Sequence, residues 1–173
     1  MRIVQITDLH VGPEGEHPFE VDVRKNCSKI IKKANGLSPD CLVISGDLCM
    51  YDGDEKIYNW IKEQLVEVSC PIYVIGGNHD SSKMLADHFD LRQHLKGEEI
   101  NYDITMNGKH LLFLDSARGD LSQQQLDWIA ELDWDNHLIF IHHPPAKTGV
   151  PHMDNRYPLK NGDELRAVLA KKK

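Results

Sequence analysis

The chain has 173 residues, 40% hydrophobic and 27% charged, enough for one globular domain with its own core. Its net charge of -7 offers no basic field for a nucleic-acid backbone, so a nucleic-acid polymer is not an expected partner. Apolar runs such as HLLFLD are too short to span a bilayer, and the chain opens on a strand-like RIVQIT rather than a signal-peptide core, so no membrane partner is expected and the expected compartment is the cytoplasm.

RIVQIT (2–7) reads as a buried strand. Residues 21–36 read as a helix, with Val23, Cys27, Ile30, Ile31 and Ala34 at helical spacing and Gly36 as its C-cap. DCLVIS (40–45) is a second buried strand. Residues 54–68 form a second helix, with Ile57, Trp60, Ile61, Leu65 and Val68 on one face. PIYVIG (71–76) is a third strand. This strand–helix–strand–helix–strand order is the signature of a parallel sheet.

The second half differs. Residues 100–116 carry Asn107-Gly108 between two strand-like runs, which predicts a hairpin with a type I′ turn. Residues 121–132 predict a helix capped by Ser122, with Gln125 in the capping-box position. HLIFIHHPP (137–145) predicts a strand stopped by Pro144-Pro145. Residues 161–173 predict a helix with Asp163 near its start, leading into three solvated lysines. The four cysteines have no CxxC spacing and read as small hydrophobes, neither disulfides nor a zinc site. Trp60, Trp128 and Trp134 fit core packing.

Polar residues gather at the strand ends. Asp8 and His10 follow the first strand, Asp47 the second, Asn78 and His79 the third, and His142 and His143 the later one. Open α/β sheets place ligand sites outside the carboxyl ends of their strands. In Asp-x-His, alternation along an extended segment lets Asp8 and His10 point the same way and share one metal. Gly46 and Gly77 let the chain approach an ion closely. Oxygen donors mixed with imidazole suit Mn, Fe, Zn or Co. Asp47 has two oxygens and is the natural bridge between two ions, which in such pairs sit ~3.5–4 Å apart. Asn78 offers a neutral oxygen, His79 reaches substrate, and Asp80 orients its neighbours.

Each motif has a plainer reading. Asp8, Asp47, Asn78 and Asp80 are also common turn and cap residues. His152 is a substitute ligand, a substrate contact or an ordinary loop histidine, the last being preferred. His17, His88, His94, His110 and His137 have no motif around them and are expected to be surface or structural.

DLH, GDL, GGNHD and HHPP, in that order, resemble the calcineurin-like metallophosphoesterase superfamily. LLFLDSARG followed by LSQQQLDWIAEL resembles its bacterial class III cyclic-nucleotide phosphodiesterases and glycerophosphodiesterases. The resemblance covers most of residues 1–173, taken as a single domain. It implies an α/β fold, an αββα sandwich of mixed sheets flanked by helices. It implies two divalent or trivalent transition-metal ions. Asp8, His10 and Asp47 would serve one; Asp47, Asn78 and His142 the other. The family's His-x-Pro pattern favours His142 over His143 as ligand, leaving His143 behind it or facing substrate. The expected reaction is hydrolysis of a small phosphate diester, of cyclic-nucleotide or glycerophosphodiester type, by a hydroxide bridging the metals. His79 would steady the phosphoryl oxygens and assist the leaving group.

The family's closing Gly-His-x-His motif is absent, so the domain is expected to be C-terminally incomplete, lacking one ligand at each metal and a strand. The alternative is therefore a truncated relative that binds metal or a partner with weak turnover or none. A second copy of the chain covering the exposed sheet edge is a further expectation. A nuclease or protein phosphatase on the same fold fits less well, given the acidic charge and the short chain.

Overall fold

A computed structural model describes residues 1–133 and 137–171. Strands β1 (Ile3–Ile6), β2 (Cys41–Ser45) and β3 (Ile72–Ile75) form a parallel sheet in that order. Every residue of β2 is buried, as a central strand covered on both faces requires. The connecting helices are α1 (Val23–Gly36) and α2 (Glu55–Leu65). Each has an aspartate N-cap: Asp22 accepts from the Lys25 N–H at 2.9 Å, and Asp54 from the Lys56 N–H at 2.7 Å. Their buried residues (Cys27, Ile31 and Ala34; Ile57, Tyr58, Ile61 and Leu65) follow the helical period.

Gly36 is not the left-handed cap expected of it. It stays in the helix, and Ser38 takes the positive φ of 49°. The last turn tightens instead: the Leu37 and Ser38 N–H groups bond to the Ala34 and Asn35 carbonyls three residues back, satisfying the helix end.

After β3 come a short helix α3 (Ser82–His88) and a small hairpin of β4 (Leu95–Lys96) and β5 (Glu99–Ile100). Then β6 (Tyr102–Met106) and β7 (Lys109–Leu114) pair antiparallel. Asn107 and Gly108 both have positive φ, 50° and 71°, as the type I′ turn demands. Helix α4 (Gln123–Glu131) leads to β8 (His137–Ile141), parallel to β7, followed by α5 (Pro151–Arg156) and α6 (Gly162–Ala170). Ser122 caps α4, accepting from the Gln125 N–H. The reciprocal half of the capping box is not made. The Gln125 amide instead bonds the N–H and C=O of Asp115, where β7 ends.

The two sheets face each other. The Tyr73 and Phe113 rings lie 5.4 Å apart across the interface, and the Tyr102 hydroxyl bonds both backbone groups of Val74. Alternation along β7 serves both sides. Leu111 and Phe113 join the core shared with β1–β3, α1 and α2; Leu112 and Leu114 join Leu126 and Ile129 of α4 and Leu165 of α6. The result is the α/β/β/α layering expected, but only the β6–β8 sheet is mixed; the β1–β3 sheet is purely parallel. Trp60 and Trp128 pack against these cores; Trp134, Lys172 and Lys173 lie outside the described residues. All four cysteines are free thiols. Burial pushes the Cys27 thiol up to about 12 and that of Cys49 up to about 11, as inert core residues require. Among the described residues no helix is long and apolar enough to cross a membrane.

Candidate metal centre

The loops after β1 and β2 are zipped together. The Asp8, His10 and Val11 N–H groups donate to the carbonyls of Gly46, Asp47 and Leu48 at 2.9–3.0 Å. This backbone is not the extended segment expected for Asp-x-His. Asp8 and His10 have φ of 55° and 44°, and Gly46 and Asp47 have 103° and 52°. Such conformations are costly for residues with a Cβ, and the interloop hydrogen bonds hold them. Curling both loops together turns the three side chains into one space.

Asp47 stands at its middle. Its Oδ2 lies 3.6 Å from His10 Nε2 and 3.4 Å from His142 Nε2, while Asp8 Oδ1 lies 3.6 Å from His10 Nε2. Donors held ~2.1 Å from one ion at tetrahedral angles lie about 3.4 Å apart, so these spacings fit shared ions. Two clusters of three donors result, each within 4.8 Å: His10, Asp47 and His79, and Asp8, Asp47 and His142. Asp47 belongs to both.

The histidines are oriented from behind. His142 Nδ1 lies 2.9 Å from the Ser45 carbonyl, and His79 Nδ1 lies 2.6 Å from that of Tyr51. A ring whose Nδ1–H donates to a carbonyl presents the Nε2 lone pair forward. The His79 ring meets that of His10 edge to face, centroids 5.2 Å apart. Asp80 stands behind the ligands. Its carboxylate accepts from the N–H groups of Leu48, Cys49 and Gly77 and from the Tyr58 hydroxyl, at 2.9–3.2 Å. It therefore ties the loops after β2 and β3 together. His143 is buried, with Nδ1 3.0 Å from Ser116 Oγ.

A pocket of about 260 Å³ opens over this cluster, lined by Asp8, His10, Asp47, Asn78, His79, His142 and His143, with Pro144, Met153 and Tyr157. His152 does not line it; it sits on α5 beside Tyr157, exposed. Met153 and Tyr157 were missed by the sequence reading, because α5 is too short to show a period.

The residues present fit metal ions. The floor is cut back to backbone: a Cβ on Gly77 would overlap Asp47 Oδ1, and one on Gly46 would overlap His142 Nδ1. Charge agrees. The hydrogen bond with His10 holds the Asp8 carboxyl below its ordinary range, and the same contact raises His10. Burial pushes the Asp47 carboxyl up, but His142 and the His79 N–H outweigh it and keep it low. Burial pushes His142 down, and Asp47 outweighs that and draws it up. The Asp8 and Asp47 carboxylates thus favour positive charge beside them. His143, buried beside His142, is pushed down to about 4.

The α/β/β/α sandwich thus converges carboxylates and imidazoles on a shared aspartate, a donor set suited to a metal-dependent hydrolase. The chain belongs to the calcineurin-like phosphoesterase family, whose model matches residues 1–173. It is 34% identical over 175 residues to a probable cyclic nucleotide phosphodiesterase of Fibrobacter succinogenes, covering 99% of this chain and 68% of that one. It is 31% identical over 184 residues to a probable glycerophosphodiester phosphodiesterase GpdQ of Arcobacter nitrofigilis, covering 99% and 67%. In fold it is similar to a dimetal phosphatase from Danio rerio, with a TM-score of 0.75 and 14% identity over 99% of this chain and 78% of that one. The chain thus spans about two thirds of the length of the two phosphodiesterase relatives.

Proposed function

We propose that this chain is a two-metal phosphodiesterase acting on a small phosphate diester. In this reading Asp8, His10 and Asp47 hold one ion, and Asp47, Asn78 and His142 hold the other, a division that differs from the two groups picked out by donor spacing, where His79 joins His10 and Asp8 joins His142. The observation that carries it is the position of Asp47 Oδ2, within 3.6 Å of His10 Nε2 and 3.4 Å of His142 Nε2. Mixed carboxylate, imidazole and amide donors favour Mn, Fe, Zn or Co. Two such ions supply Lewis acidity and an activated water at neutral pH.

The protein's own groups do the rest. The loops after β1 and β2 hold the carboxylates in a fixed geometry, so little reorganisation accompanies reaction. His79, gripped at Nδ1 by the Tyr51 carbonyl, presents Nε2 to the pocket. Protonated at Nε2 as well, it donates to a phosphoryl oxygen or gives that proton to the leaving alkoxide. Asn78 lines the same wall. Ser116 and the buried His143 brace the strand end that carries His142. The names of the relatives support cyclic-nucleotide or glycerophosphodiester substrates. Four free thiols support a reducing, cytoplasmic setting. One edge of β8 has no strand beside it among the described residues, and Leu138 there is 40% exposed. This supports a second copy covering that edge; a monomer by light scattering across a wide concentration range would exclude it.

The deciding experiment is hydrolysis of bis(p-nitrophenyl) phosphate during Mn²⁺ titration, with Asp47→Ala alongside. Metal-dependent turnover lost in the variant is the expected result. Equal turnover in the two proteins overturns the reading.

A further inference from the structure

A second group of metal-binding side chains lies on the β6–β7–β8 sheet, at the far end from the pocket. Asp103 on β6, His110 on β7 and His137 on β8 each offer one donor atom, and the three atoms lie within 4.8 Å of one another. Strand register explains the meeting. His110 is paired with His137 across β7 and β8. Asp103 is paired with Leu112, two residues along β7, so it reaches His110 on the diagonal of the same face. His137 and His142 stand at opposite ends of the β8 segment, five residues apart. That is about 16 Å at the rise of a strand. An ion here would be separate from any held in the pocket.

The plain reading is a cross-strand histidine stack beside an Asp–His hydrogen bond. The rings do stack, with centroids 4.6 Å apart and planes at 18°, and Asp103 Oδ2 lies 3.0 Å from His110 Nδ1. That reading leaves one group unexplained. Asp103 Oδ1 is buried and has no hydrogen-bond partner among the described residues. A buried carboxylate oxygen without a partner is costly, and a cation beside it removes the cost.

We propose that Asp103, His110 and His137 form a peripheral site for one transition-metal ion of the zinc class, fastening β6, β7 and β8 together. Two imidazoles and a carboxylate suit zinc and its neighbours better than magnesium or calcium. Three protein donors leave a fourth position for water. Parallel rings do not aim two in-plane lone pairs at one point, so one ring turns about its last torsion as the ion binds. That torsion is soft in histidine. The site needs nothing from the pocket's chemistry, and the proposal stands or falls apart from the proposed function.

The test loads the whole chain with Zn²⁺, dialyses it and counts bound metal, for wild type, Asp103→Asn and His110→Gln. Asp103→Asn keeps an oxygen facing His110 and removes the anionic donor. Each variant is expected to retain one ion fewer per chain than wild type and to lose part of the Zn²⁺-induced rise in melting temperature. Bis(p-nitrophenyl) phosphate turnover with Mn²⁺ is expected to stay the same. Equal metal content in wild type and variants overturns the proposal. Loss of metal together with loss of turnover also overturns it, since the ion would then belong to the pocket. If His110→Gln fails to fold, the Asp103→Asn count decides alone.

Discussion

Gly77 lies against Asp47 so closely that a Cβ on it would overlap Asp47 Oδ1 and come within 2.8 Å of His142 Nε2. The backbone N–H of His79, two residues on, donates to the same Asp47 oxygen at 3.0 Å. Gly77 is therefore a spacer that lets the loop after β3 sit on the shared carboxylate. Its φ is not positive, so alanine is acceptable to its backbone and fails on space alone. Gly77→Ala is expected to displace Asp47 and lower kcat/KM by roughly 100-fold or more, the usual effect of a ~1 Å misplacement. Steady-state kinetics on bis(p-nitrophenyl) phosphate check this; near-normal kinetics would mean that the Asp47 position is not critical.

Asp80 does a different job. It does not line the pocket but accepts from Leu48, Cys49, Gly77 and Tyr58. In Asp80→Asn one oxygen becomes an NH₂ that faces donors. A loss of about 3 kcal/mol of stability is expected, with Tyr58→Phe costing about 1 kcal/mol. Denaturant unfolding measures both. Turnover should also fall in Asp80→Asn, because the two ligand loops are no longer held together. An Asp80→Asn protein as stable as wild type would show that the carboxylate is dispensable.

Much of this was legible in the sequence because the signals are periodic or punctuated. The buried runs of β1, β2 and β3, the helical spacing of α1 and α2, and Asn107-Gly108 each have a local physical cause. The strand-end residues were legible because a parallel sheet sends all those ends to one side. Helices α3 and α5 and the β4–β5 hairpin are too short for a period to show. The positive φ angles of Asp8 and His10 come from hydrogen bonds to a loop about 40 residues away, which no local pattern encodes. Tyr51, which grips His79 by its carbonyl, has no side-chain signature at all. Asp103, His110 and His137 meet only through strand register, so His110 and His137 read singly as unremarkable surface or structural histidines.

His79 is the side chain best placed to meet a leaving group. Its ring lines the pocket, with one nitrogen held by Tyr51. His79→Ala is expected to lower kcat by roughly 100-fold, within the usual range for a lost general acid. The loss should be smaller for a diester with a p-nitrophenolate leaving group than for one with an alkyl leaving group, because a good leaving group needs no proton. Comparing kcat on the two substrates checks this. Equal losses would confine His79 to binding the phosphoryl group.

His143 gives a pH prediction of definite sign. Burial, and then the neighbouring His142, push it from an ordinary value of 6.5 down to about 4. Ser116 Oγ lies 3.0 Å from its Nδ1. The folded chain therefore holds His143 neutral where the unfolded chain would protonate it. Between these two values the unfolded state binds more protons, so this residue's contribution is complete above 6.5 and is lost as pH falls toward 4. His10 and His142 are raised instead, and work in the opposite sense over the range above 6.5. Comparison with His143→Asn isolates the one residue. In the metal-free chain, the stability advantage of wild type over His143→Asn is expected to shrink by about 2 kcal/mol between pH 7 and pH 4.5. Urea unfolding of both proteins at each pH measures it. A constant difference would mean that His143 protonates as readily in the fold as in the open chain, and that its burial against Ser116 does not hold it neutral.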